Sequence, residues 1–152
     1  MHQTIDNLLA DRRGAIHTVD VTATAAQAVR TMNEARVGAV IVTDGGRLAG
    51  IFTERDVLRR LVESHRSADD TPVREVMTSE VVVLSPQDTV AHAMELVNTR
   101  NCRHLPVLDG DALLGMVSVR DLIGAIVSGQ ESRISELTDY IYGGYGPGPE
   151  GQ

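Results

Sequence analysis

"GIFTERD" at residues 50–56 returns as "GMVSVRD" at residues 115–121, an offset of 65 positions. Each stretch is a glycine, two apolar residues, a hydroxyl residue, two further residues and an aspartate. The match extends outward without a gap, from residues 16–62 onto residues 81–127. Thr24 falls on Thr89, Ala28 on Ala93, Asn33 on Asn98 and Val42 on Val107. Asp44-Gly45 falls on Asp109-Gly110, Leu48 on Leu113, and Arg55-Asp56 on Arg120-Asp121. About a dozen positions are identical and most others keep their polarity, so the chain is an internal repeat, a reading that precedes every other.

Both copies present the same order of elements. A short apolar run comes first, "AIHTV" (15–19) or "EVVVL" (80–84), whose β-branched residues predict a strand. Ala and larger apolar residues at helical spacing follow in "TAAQAVRTMNEAR" (24–36) and "TVAHAMELVNTR" (89–100), with Thr24 and Thr89 as N-caps. Two strands then flank Asp44-Gly45-Gly46 in one copy and Asp109-Gly110-Asp111 in the other, a strong hairpin signal. "ERDVLRRLVESH" (54–65) and "VRDLIGAIVSG" (119–129) read as closing helices. The unit is β-α-β-β-α, twice. One such unit is too small to be stable alone, so the copies are expected to bury their sheet faces against each other about a pseudo-two-fold axis.

The repeats are joined by polar "RSADDTPVREVMTS" (66–79), with a helical turn expected around residues 73–77. Ile5, Leu8 and Leu9 mark a short amphipathic helix before copy one, and Ile134, Leu137 and Ile141 mark another after copy two. The expected division is residues 1–68 for the first repeat with its N-terminal helix and 69–130 for the second. A C-terminal helix at 131–142 and a disordered Gly/Pro-rich tail at 143–152 complete it. The fold class is α/β, more narrowly α+β: two packed repeats plus a C-terminal helix.

Composition removes several function classes. The 152 residues carry a net charge of −7, with 3% aromatics and no Trp. Such a chain is a poor partner for the phosphate backbone and offers few rings for stacking bases, so no nucleic-acid partner is expected. A small phosphate ligand in a local pocket remains compatible. The single cysteine, Cys102, excludes an intrachain disulfide and fits a reducing, cytoplasmic setting. No signal peptide and no membrane span are read from the sequence. The five histidines, His2, His17, His65, His92 and His104, show no metal-ligand spacing. No nucleophile elbow or oriented Cys–His pair is visible, and no enzymatic activity is expected.

Thr53-x-x-Asp56 and Ser118-x-x-Asp121 have two readings. Each is a capping box, its hydroxyl and carboxylate satisfying the first turn of the closing helix. Each also places a hydroxyl, a carboxylate and helix N–H groups beside a cleft between the copies. Hydroxyl and N–H suit a phosphate, and carboxylate suits a ribose diol, so together they suit a nucleotide. The residues alone leave both readings open.

The stretches "GAVIVTDGGRLAGIFTERDVLRRL" and "CRHLPVLDGDALLGMVSVRDLIGAI", preceded by "VREVMT", resemble the cystathionine-β-synthase (CBS) domain family, as a tandem pair or Bateman module. The resemblance covers roughly residues 4 to 130 and implies two sheet-paired CBS repeats in a small stand-alone regulatory protein. It implies an adenosine ligand: AMP first, or ATP, ADP, NAD or S-adenosylmethionine, with no metal required. The family's ribose-binding aspartate maps to Asp56 and Asp121, and its phosphate-side hydroxyl to Thr53 and Ser118. A ligand on Asp56 would have Thr78 and Val82 along its base and Arg103 and His104 near its phosphate. A ligand on Asp121 would meet His17, Val37 and Gly38. The Asp56 site is expected to be the more positive of the two. The resemblance further implies a homodimer through the closing helices and an unknown regulated protein. The contrasting reading is a structural, protein-interaction scaffold with empty clefts.

Overall fold

The computed structural model describes residues 3–11 and 16–143. Helix α1 (Ile5–Ala10) opens the chain, capped by Thr4. Copy one follows as β1 (Thr18–Asp20), α2 (Ala25–Ala35), β2 (Ala39–Asp44), β3 (Arg47–Thr53) and α3 (Glu54–Asp56). The last widens into a π-helical segment at Val57–Val62, where Glu63 N–H reaches Leu58 O and Arg66 N–H reaches Leu61 O. A 3-10 turn at Val73–Glu75 lies where the connector was expected to coil. Copy two contains α4 (Val90–Arg100), β4 (His104–Asp109), β5 (Ala112–Ser118) and α5 (Val119–Gly143). The architecture is α+β, with a three-stranded sheet β1-β2-β3 and a two-stranded sheet β4-β5.

The repeat is legible down to backbone geometry. Thr24 Oγ1 accepts from Gln27 N–H at 3.1 Å and Thr89 Oγ1 from His92 N–H at 3.0 Å. Helices α2 and α4 both end on a left-handed residue, Arg36 (φ 55°) and Asn101 (φ 51°). Both hairpins turn in two residues, with Gly45 and Gly46 at φ 60° and 81° and Gly110 at φ 60°, a conformation glycine adopts without steric cost. Both carry a bulge in register, after Val42 and after Val107.

One expected strand is missing. "EVVVL" makes a single parallel bridge, Leu84 to Val107, rather than a ladder. In copy one, Ile41 N–H donates to His17 O at 3.1 Å. The position matching Ile41 in copy two is Pro106, which has no N–H to give to Val82. Residues 131–142, expected as a separate helix, continue α5 without a break. No proline interrupts this stretch, and Gly129 costs only about 1 kcal/mol relative to alanine. Of the expected tail, residues 144–152 lie outside the described residues.

Two apolar cores form, one per copy, and each takes in the segment preceding a repeat. Val73 and Val76 are fully buried with Val40, Val42, Phe52 and Leu61 of copy one. Ile5 and Leu8 are buried with Leu84, Leu105, Val117 and Leu122 of copy two. Helix α1, grouped with the first repeat in sequence, therefore packs on the second. Its Ile5 N–H donates to Asp88 O at 2.8 Å, and Val90 N–H donates to Gln3 O. The mirror bonds are Val73 N–H to Ala23 O and Ala25 N–H to Thr71 O. Strands β3 and β5 meet between the copies.

Gly50 and Gly115 sit at the bulges where these segments pass. A Cβ on Gly50 would lie 2.7 Å from Met77 Sδ and 2.7 Å from the backbone Thr78 O, whereas one on Gly115 would meet only Leu9 Cδ2 at 3.1 Å. Gly50→Ala should therefore destabilise the fold by about 1–3 kcal/mol in urea denaturation, and Gly115→Ala by less than about 1 kcal/mol, since a leucine tip moves more easily than a backbone carbonyl. Equal losses in the two variants would contradict the close-approach account.

Candidate functional site

Strand β3 ends at Thr53, which stays extended (φ −122°, ψ 166°) while the next residue turns helical. Thr53 Oγ1 accepts from Asp56 N–H at 3.3 Å, and Asp56 Oδ2 accepts from Thr53 N–H at 3.0 Å and from its hydroxyl at 3.2 Å. Thr78 of the connector donates its hydroxyl to Asp56 Oδ1 at 3.1 Å. Arg60, one turn along, places Nε 3.6 Å from the same oxygen and donates through Nη1 to Met77 O. Asp56 is only 6% exposed. A carboxylate so buried is costly unless bonded, and these donors meet the cost. Copy two builds the same box: Asp121 Oδ2 accepts from Ser118 N–H at 2.7 Å and from its hydroxyl at 2.9 Å. Both stretches are thus capping boxes.

A cavity of about 250 Å³ lies in front of Asp56, between the copies. Thr53, Asp56, Thr78, Val82, Arg103 and His104, the six residues expected together, all line it. Gly38, expected with Asp121, lines this cavity as well, with the Glu54 carboxyl 3.4 Å from where a Cβ would stand. The other residues expected at Asp121 are not gathered here. Val37 packs against the first core, and His17 stands ahead of β1 with its carbonyl bonded to Ile41. Ile51, Glu54, Arg55, Glu80, Val81, Arg100, Asn101 and Cys102 complete the lining without having been singled out as ligand contacts. Only Arg55, whose Nη1 donates to Asn101 O at 3.1 Å across the copies, carried a signal, as half of the repeated Arg-Asp pair.

The cavity gathers charges of both signs. Arg55, Arg100 and Arg103 face Glu54, Asp56 and Glu80. Burial holds the His104 imidazole below its ordinary pKa; Glu54 and Asp121 oppose that and Arg103 reinforces it. His104 is therefore a neutral hydrogen-bonding group at pH 7, not an added cation. Burial also raises the Cys102 thiol, against the pull of Arg100 and Arg55, so it is a protonated wall residue rather than a nucleophile. Among the described residues no group of three His, Cys, Asp or Glu side chains could hold a metal, and no helix is long and apolar enough to cross a membrane.

Because His104 has a lower pKa folded than unfolded, the unfolded chain binds its proton first as pH falls. The stability it contributes is complete above about pH 6.5 and is lost as pH drops through the lowered value. Stability of the wild type should decline as pH falls below about 6.5, and His104→Gln should flatten that slope in urea titrations run at a series of pH values. An unaltered slope would contradict the placement of His104.

The CBS-domain family description matches residues 12–63 and again residues 73–128. The mitochondrial CBS domain-containing protein CBSX3 of Arabidopsis thaliana is 38% identical over 123 residues, 78% of this chain, and this chain spans only 60% of that protein's length. A protein with CBS domains from Burkholderia ambifaria superposes with a TM-score of 0.80 at 36% identity, covering 84% of this chain and 96% of the other. The CBS domain protein PAE2072 of Pyrobaculum aerophilum, solved in complex with AMP, superposes with a TM-score of 0.70 at 25% identity, covering 78% and 88%. With two matched domains over most of its length and a shared fold, this chain belongs to the CBS-domain family as a tandem pair.

Proposed function

We propose that the chain is a non-catalytic regulatory module that binds an adenosine mononucleotide, AMP first, in the cavity at Asp56. The observation that carries this reading is a buried carboxylate set in the wall of a cavity that also holds three arginines. Asp56 would accept ribose hydroxyls, Val82 with Ile51 would flank the base, and Arg103 with Arg100 would meet the phosphate. The volume argues for a small ligand: at about 250 Å³ it falls below the range of about 300 to 1,000 Å³ typical of ligand pockets, so a dinucleotide would project from this one. PAE2072, bound to AMP, supports the same ligand class.

Binding would signal by favouring one arrangement of the two copies over another, with the ligand's differential affinity as the available energy. The readout would be a homodimer partner or a regulated protein in the cytoplasm. Leu58 and Val62 of copy one are 64% and 63% exposed, and their repeat counterparts Ile123 and Val127 are 50% and 47% exposed. The pseudo-two-fold thus offers one apolar face twice, as a dimer of modules would use.

The scaffold reading has its own support. The Asp56 oxygens accept from Thr53 N–H and from the Thr53 and Thr78 hydroxyls, which is all that a capping role demands. Calorimetric titration with AMP separates the two. Saturable heat from the wild type is expected, weakened about tenfold or more in Asp56→Asn by loss of charged hydrogen bonds and unchanged in Asp121→Asn. No heat at millimolar AMP would leave the scaffold.

A further inference from the structure

The Asp56 cavity is apolar and polar in different places. Ile51 is 6% exposed at its inner end. The rim is built from solvent-exposed charged residues: Arg100, Arg103 and Glu80 from copy two, and Glu54 from the start of α3. Two of the four are acids, in a site whose phosphate end needs cations.

Glu54 is held there by local structure. Its N–H donates to Gly38 O at 3.0 Å, and its carboxyl packs over Gly38, 3.4 Å from where a Cβ would stand. The repeat does not demand this: Val119 occupies the Glu54 position in copy two, and Arg103 occupies that of Gly38. The acid over the glycine therefore belongs to this cavity and not to the shared unit. Glu80 likewise has no acidic counterpart, since residue 15 is alanine.

We infer that Glu54 and Glu80 set the charge of the ligand, admitting a nucleoside monophosphate and disfavouring the di- and triphosphates. This rests on the mononucleotide reading of the cavity. One phosphate is matched by Arg100 and Arg103, while the third arginine of the cavity, Arg55, donates to Asn101 O. Each further phosphoryl group adds negative charge at the rim, where two carboxylates repel it. Neutral His104 adds no compensating charge.

The test is calorimetric titration with AMP and with ATP, without divalent metal, of the wild type, Glu54→Gln/Glu80→Gln, and a control, Glu63→Gln/Glu95→Gln, whose exposed glutamates lie outside the cavity lining. Glutamine keeps the size of each side chain, and thermal melts verify folding. Exposed charge pairs change affinity by about 1.5- to 5-fold each, so the ATP-to-AMP affinity ratio should rise roughly fivefold in the rim variant. The rise should shrink at high salt and be absent from the control. AMP binding with an unchanged ratio in the rim variant would overturn the charge filter while leaving the AMP site intact. An equal rise in the control would also overturn it, as an effect of net charge. Failure of both nucleotides to bind the wild type would instead remove the mononucleotide reading and the filter with it.

Discussion

A buried carboxylate must be given donors, and at Asp56 that requirement ties three parts of the molecule together. Thr53 N–H and hydroxyl come from the end of β3, Thr78 hydroxyl from the connector, and Arg60 from the π-helical turn. Each donor fixes its own segment: the strand end, the path of residues 77–78 across Gly50, and the first turn of the closing helix. The connector cannot shift without unbonding a charge held out of water, so the wall of the cavity is rigid where a ligand would need it to be.

The pseudo-symmetry supplies the scaffold, and its breaks supply the site. Both copies share caps, bulges, hairpins and a borrowed segment in the core. They differ where Pro106 replaces Ile41, where Arg103 and His104 replace Gly38 and Ala39, and where a π segment replaces regular helix. The proline keeps residues 81–83 out of a strand ladder, and Val81 and Val82 become cavity wall. Duplication thus provides two equivalent turns, of which the Asp56 turn faces a cavity that gathers cations and acids from both copies.

Much of this was legible in the sequence. The offset of 65, the threonine caps and the Asp-Gly turns each report local backbone chemistry, and they located two repeats, two hairpins and the closing helices. The resemblance then named six of the residues that line the cavity. What escaped was set by contacts between distant segments. The missing strand depended on one absent N–H. The docking of α1 on the second copy depended on which core had room for Ile5 and Leu8. Gly38 lies in the Asp56 cavity, where its carbonyl accepts from Glu54 N–H, a contact with no signature in the repeat. Glu80 and Arg100-Asn101 lie at opposite ends of the α4 segment of copy two and share no pattern, so only the tertiary fold brings them into one lining.

The most direct measurement is a crystal structure of the chain grown with AMP. The account predicts ribose hydroxyls on Asp56, the base against Val82 and Ile51, and the phosphate between Arg100 and Arg103. Nucleotide bound only beside Ser118 and Asp121, with the Asp56 cavity holding water, would contradict it.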